Sequence, residues 1–449
     1  MGLSQVLALA IFLAMFAAII IGKVHRFIPA LVGAALTLVV VFFIVLRDPM
    51  GAFNVLNVAE MGQLRFWFPG KEHFASHGVN WQTIIFIGGM MAMVESMAET
   101  GFFTWLCLLV ARLVKYKAVP ILIAFMLLSG FLAMFIDSIT VLLFMAAITI
   151  ELAHLLKFDP VPLIIAMTFA ANTGGSATMS GDPPNIIIGT ALGFTFTDFV
   201  TNTGPIAWVG MLIALGFFYL SFRKSLTKAQ SDTSVNQYPE PRQAITDPLL
   251  FKINTAIFIL VILLLITHAQ SGLSVAIIGV IAALLTLLAA RRRAFILARR
   301  IDWRTLLFFL GLFVAVGGLE ATGVLEALAG YIGKVSNGNI VLVLTIILWI
   351  SGFASAIVDN IPFAATMVPV IANLSQSLGI PLPSMAWALA LGTDIGGNAT
   401  PIGASANVVA TAIAEKRGHP ISWGRYMRYA LPATIIVLLA SWIWLVVRY

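Results

Sequence analysis

Apolar runs of about twenty residues, the length a helix needs to cross a bilayer, recur from Leu3 to the C-terminus and are separated by short polar or basic stretches. The pattern predicts membrane helices at Leu3–Ile21, at Ile28–Leu46 and from Thr83 to about Phe103. Leu3–Ile21 lacks a basic leader and a small-residue cleavage site, so it reads as a first span and not a signal peptide. Leu106–Lys117 reads as an arm whose Arg112, Lys115 and Lys117 mark the cytoplasmic surface. Two apolar stretches then flank Asp137-Ser138 with no loop between them, which predicts a re-entrant hairpin. Pro160–Val200 is too long for one simple helix and is broken by GGSATMSGDPPN, Gly174 to Asn185, so it reads as a discontinuous span.

The same pattern returns 222 residues later, with Trp81 on Trp303, Thr100-Gly101 on Thr322-Gly323 and Asp137 on Asp359. GGSATMSGDPPN falls on GGNATPIGASAN, Gly396 to Asn407, in the same register. Several matched blocks without a gap indicate a duplicated structural unit. The polar segment 224–252 divides the chain into a first repeat, 1–223, which carries an extra N-terminal helix, a cytoplasmic linker, and a second repeat, 253–449.

Charge orients the copies. RRRAFILARRIDWR carries six arginines between Arg291 and Arg304, whereas its counterpart 222 residues earlier, GKEHFASHGVNWQ, carries Lys71 and Glu72 and no arginine. Positive residues stay inside, so Trp303 lies at the cytoplasmic face, Trp81 at the outer face, and the repeats are inverted. The predicted fold is an all-α polytopic membrane protein of two inverted-topology repeats, with about 10 transmembrane spans, two re-entrant helical hairpins and two discontinuous helices.

Composition agrees with a chain embedded in a membrane. Hydrophobic residues make up 60% and charged residues 10% of the chain. The net charge of +7 resides at helix ends and loops, where it serves orientation, and does not imply a nucleic-acid partner. The single cysteine, Cys107, excludes an intramolecular disulfide and any multi-thiolate metal site.

Irregular backbone at membrane depth needs protein or water around it, since each unsatisfied peptide group in lipid costs several kcal/mol. The four breaks at Asp137, Asp359, Gly174–Asn185 and Gly396–Asn407 are therefore expected to meet around a midplane cavity. The glycines are expected to permit positive φ and close approach to a ligand, and Pro183-Pro184 to restart a helix. Carboxylates at such depth mark proton or cation paths, so Asp137 and Asp359 are candidates for proton coupling. Between Ala118 and Phe222 the only basic residue is Lys157, and between Thr305 and Glu415 it is Lys334. The sequence carries no recognisable catalytic set, metal motif or phosphate-binding loop. It reads as a transporter and not an enzyme.

NTGGSATMSGDPPNIIIG (Asn172–Gly189), VDNIPFAATMVPVI (Val358–Ile371) and GGNATPIGASANVV (Gly396–Val409) resemble the ion transporter superfamily. The likeness is to the branch of ArsB-type arsenite permeases, NhaD-type sodium/proton antiporters and P-protein-like permeases, and it covers nearly the whole chain. It implies substrate and ion ligands at the hairpin tips, Asp137, Ser138, Asp359 and Asn360. On the broken-helix loops it implies Asn172, Thr173, Gly174, Ser176, Thr178, Asn185, Asp394, Gly396, Asn398, Thr400, Ser405 and Asn407.

The leading expectation is proton-coupled efflux of arsenite or antimonite, giving arsenical resistance. A sodium/proton antiporter of the NhaD type is the alternative. A carboxylate symporter ranks lower because the sequence shows no cation to hold the anion, and a channel would use the same cavity without alternating access. No cofactor is expected beyond the coupling ion, H+ or Na+. The expected partners are the bilayer and a small inorganic substrate or ion. A homodimer and a cytoplasmic ATPase subunit are compatible with the chain.

Overall fold

The computed structural model describes residues 2–70, 78–230 and 238–449. Lys71 and Glu72 lie outside the described residues. Ten helices among those described are long and apolar enough to cross a bilayer. Three of them, Ser138–Leu156, Ile340–Ile357 and Asn360–Leu378, are hairpin arms. The other seven, together with Trp81–Glu99 and two broken spans, make ten crossings.

The hairpins pair Ala118–Ala133 with Ser138–Leu156, and Ile340–Ile357 with Asn360–Leu378. The broken spans pair Val161–Gly175 with Pro183–Leu192, and Leu382–Gly396 with Ser405–Lys416. Pro183 starts its helix in the first turn, where the missing N–H costs nothing. Trp81–Glu99 bends by 61° into Phe102–Leu113, the predicted arm. Val324–Ser336 is the matching arm of the second repeat.

Local capping repeats along with the sequence. Asn80 and Asp302, equivalent positions, accept from the backbone N–H of Thr83 and Thr305. Asp137 and Asp359 do the same for Thr140 and Ile361, so each tip aspartate also caps the helix that leaves the tip.

Two bundles result. Leu3–Ile21, Phe27–Leu46, Trp81–Glu99, Pro248–Ser271, Val275–Ala290 and Trp303–Ala321 pack together as one. The hairpins, the broken spans, Gly204–Gln230 and Trp423–Arg448 form the other. Glycine sets the closest approaches in the first bundle. A Cβ on Gly89 would lie 2.0 Å from the carbonyl oxygen of Gly279, and one on its mate Gly311 would lie 2.5 Å from the carbonyl carbon of Ala30.

Ion pairs mark the arginine-rich end, where Glu95 meets Arg300 at 3.5 Å and Glu99 meets Arg293 at 3.8 Å. Helix continues past Arg223 to Gln230, and the next span begins at Pro248, so part of 224–252 is helical. The connector is pinned to the arm. The Tyr116 hydroxyl donates to the carbonyl of Pro239 at 2.7 Å, and its ring stacks on Tyr238.

Candidate transport site

Both hairpin tips meet on one carboxylate. The Ser138 hydroxyl donates to one oxygen of Asp182 at 2.7 Å, and the Asn360 amide donates to the other at 2.9 Å. Asp182 is buried and lies within electrostatic reach of Asp137 and Asp359, and Asp394 lies within its reach. The loop after the first half of a broken span thus closes onto hairpins from both repeats.

Around the tips lie two cavities, of about 240 and about 470 Å³. Asp137, Thr140 and Ser180 line the first; Asp359 and Ser405 line the second; Arg26, Asp302 and Thr305 line both. The first extends to Glu95 and Arg300, the ion pair at the arginine-rich end. At the opposite end the bundles are joined, because the Asn80 amide donates to the Thr190 hydroxyl at 2.8 Å and the Thr83 hydroxyl lies at the same distance from it.

Arg26 corrects the expectation that no cation stands at the site. It precedes the helix Phe27–Leu46 and reaches across to the second hairpin, donating to Asp359 at 3.1 Å, Ser405 at 2.7 Å and Thr305 at 3.1 Å. Ser405 in turn donates to Asp359, and Thr305 donates to Asp302 at 2.6 Å. The guanidinium also lies over the Phe308 ring, with 5.0 Å to the centroid.

Deeper, the broken spans cross. Asn172 and Asp394 are repeat mates, as are Asn185 and Asn407. The Asn172 amide donates to Asn407 at 2.8 Å and to Asn398 at 3.0 Å, and the Asn185 amide donates to Asp394 at 2.8 Å. Each half thereby contacts the other through equivalent positions. Asn398 closes the ring by donating to Thr173 at 3.3 Å. Asn185 and Asn407 also hold their own loops, donating to the carbonyls of Gly175 and Thr178 and of Gly397 and Thr400.

Other predicted residues shape the site without facing the cavities. The Thr178 and Thr400 hydroxyls donate to Met134 and Ala356, tying each loop to its own hairpin. Ser176 donates to the carbonyl of Thr173. Gly174 and Gly396 were expected to serve a ligand through positive φ; neither has it, and they serve chain packing instead. A Cβ on Gly174 would lie 2.2 Å from the carbonyl oxygen of Gly130, and one on Gly396 would lie 2.3 Å from the Cα of Gly352.

Two inverted hairpin-and-broken-helix units around a carboxylate-rich cavity define a secondary transporter of the multi-pass, plasma-membrane kind. The profile of the citrate transporter family, CitMHS, matches residues 16–392, and the chain belongs to that family, within the ion transporter superfamily. It is 32% identical to the uncharacterized transporter Mb2703 of Mycobacterium bovis over 99% of both chains. It is 34% identical to the uncharacterized transporter Rv2685 of Mycobacterium tuberculosis over 84% of this chain and 89% of that one. Human P protein is 26% identical over 99% of this chain and 60% of its own length. Among solved structures, the fold is shared with the Alcanivorax borkumensis YdaH transporter at a TM-score of 0.53 and 13% identity, covering 99% of this chain and 98% of that one.

Proposed function

We propose that the protein exports a small uncharged oxyacid, arsenite or antimonite, from the cytoplasm in exchange for protons carried by Asp137 and Asp359. The observation that carries this reading is the lining of the two tip cavities. Set among apolar side chains, its polar groups are mostly carboxylates and hydroxyls, and its central cation, Arg26, is already engaged by Asp359, Ser405 and Thr305. A neutral polyol finds donors and acceptors there without meeting like charge. A carboxylate substrate would have to displace Asp359 while facing Asp137 and Asp302. Protonation of Asp359 weakens its hold on Arg26, which links proton loading to loosening of the contact between the bundles.

A second reading, uptake of a carboxylate such as citrate, is favoured by Arg26 itself, a ready anion partner, and by the family's description. Reconstitution with an internal pH dye separates the readings, adding arsenite, citrate, sodium or lithium in turn to wild type, Asp137→Asn and Asp359→Asn. Arsenite-dependent proton movement that disappears in both variants is the expected result. A response to citrate alone, or to sodium or lithium alone, overturns export of an oxyacid.

A further inference from the structure

The hydrogen bonds of Arg26 divide between the bundles. Nη1 donates to Asp359 and Ser405 of the hairpin bundle, and Nη2 donates to Thr305 of its own. The Phe308 ring that faces the guanidinium also belongs to Arg26's own bundle. Movement of the hairpin bundle carries both Nη1 partners away together and leaves Thr305 and Phe308, neither of which is charged. A guanidinium is a permanent cation. With its side chain only 20% exposed, Arg26 then needs another carboxylate or stands unpaired at high cost.

One carboxylate of its own bundle is a single oxygen away. The Thr305 hydroxyl accepts from Arg26 at 3.1 Å and donates to Asp302 at 2.6 Å, so one hydroxyl links the two charged groups. Arg26 and Asp302 line the same two cavities. Among the described residues the Asp302 carboxylate accepts only from Thr305, through the backbone N–H and the hydroxyl, and forms no ion pair. Arg300, the other cation on these walls, is held by Glu95 at 3.5 Å. Asp137 travels with the hairpins.

The repeat shows that capping alone does not call for a carboxylate at this position. The mate of Asp302 is Asn80, which caps its own helix in the same way. Asn80 gives its amide to Thr190 across the seam at the opposite end, and the mate of Thr190 is Ala412. The arginine-rich end therefore lacks both halves of that neutral latch, since Asp302 has no N–H to give and Ala412 no side-chain oxygen to receive one. In its place stands an unpaired carboxylate beside Arg26.

We propose that Asp302 is the alternate counter-ion of Arg26. The guanidinium pairs with Asp359 in this structure and turns to Asp302 when the hairpin bundle moves, so that neither state leaves a covered cation alone. Asp302 is thus a positioning residue that sets the balance between the two states. Its role rests on the movement of the hairpin bundle that the export reading requires, and not on the identity of the substrate.

The test is the rate at which a thiol reagent modifies Thr83→Cys in a Cys107→Ala background, in nanodiscs that leave both faces accessible. Thr83 is fully buried against Thr190 in the opposite seam, so modification reports the fraction of molecules in which that seam has parted. Asp302→Asn keeps the cap, as Asn80 does, and removes the charge. It is expected to slow modification about fivefold or more, because Arg26 loses its partner in the parted state. Asp359→Asn is expected to speed modification, and the double variant to fall between the two. Loosened packing would speed it in both single variants, so opposite responses around one arginine mark an exchange. An unchanged or faster rate in Asp302→Asn overturns the proposal, as does a slowing by Asp302→Asn that persists in an Arg26→Gln background. Opposite responses without arsenite-driven proton movement would leave the exchange standing and remove the export reading. Arsenite-driven proton movement with a rate indifferent to Asp302→Asn would do the reverse.

Discussion

The Arg26 guanidinium stands 3.1 Å from the Asp359 carboxylate, and the two belong to different bundles. Arg26 lies at the start of a helix in the bundle free of hairpins, and Asp359 lies at the tip of the second hairpin. Both side chains are mostly covered, at 20% and 16% exposure, so the pair is less screened than a surface salt bridge. Any movement of one bundle past the other must break it.

Arg26→Gln and Asp359→Asn should each lower stability by about 1–3 kcal/mol, because each leaves a partly buried charged partner unmatched. The double variant should recover part of that loss. Denaturant or thermal unfolding of the four proteins gives the coupling energy. Strictly additive losses would mean that the pair does not join the bundles energetically.

Asp182→Asn replaces an oxygen that accepts from a hairpin with an NH2 group that faces a donor. A loss of about 1–3 kcal/mol is expected for the unsatisfied polar group, together with a much larger fall in flux, since both tips lose their shared anchor. Flux at wild-type level in a folded Asp182→Asn protein would remove this carboxylate from the transport path.

Gly174→Ala and Gly396→Ala put a methyl group against backbone atoms that cannot turn aside, at 2.2 and 2.3 Å. Destabilisation of about 1–3 kcal/mol or more is expected from overpacking. Gly216→Ala, which meets nothing within 4 Å on its helix, should be neutral or stabilising by up to about 1 kcal/mol. Yield and Tm in detergent would rank the three.

Much of the fold was legible because each structural cause leaves a trace in sequence. Gly-Pro-rich interruptions of apolar runs mark the broken spans, and Asp137 and Asp359 mark the tips because the repeat sets them in register. Arg26 was hidden in the basic stretch KVHR, where a positive residue at a helix end also reads as an inside anchor. Asp182 lacked the support of symmetry, since its mate is Ala404, and its contacts come from residues 44 and 178 positions away. The loop glycines were misread as ligand-facing because composition does not distinguish a close approach to a ligand from a close approach to another helix. The contrast between Asn172 and Asp394 was visible in sequence, yet its consequence depends on the crossing that brings Asn185 and Asn407 opposite them.

Relative motion of the two bundles is tested most directly at the outer seam, where Asn80 of one bundle donates to Thr190 of the other at 2.8 Å. In a Cys107→Ala background, cysteines at 80 and 190 would be bridged with a short bifunctional thiol reagent in proteoliposomes, and proton-coupled flux measured before and after cleavage of the bridge. Bridging should abolish flux and cleavage should restore it, because opening to the outside requires this seam to part. Undiminished flux through quantitatively bridged protein would contradict transport by movement of the hairpin bundle against the other.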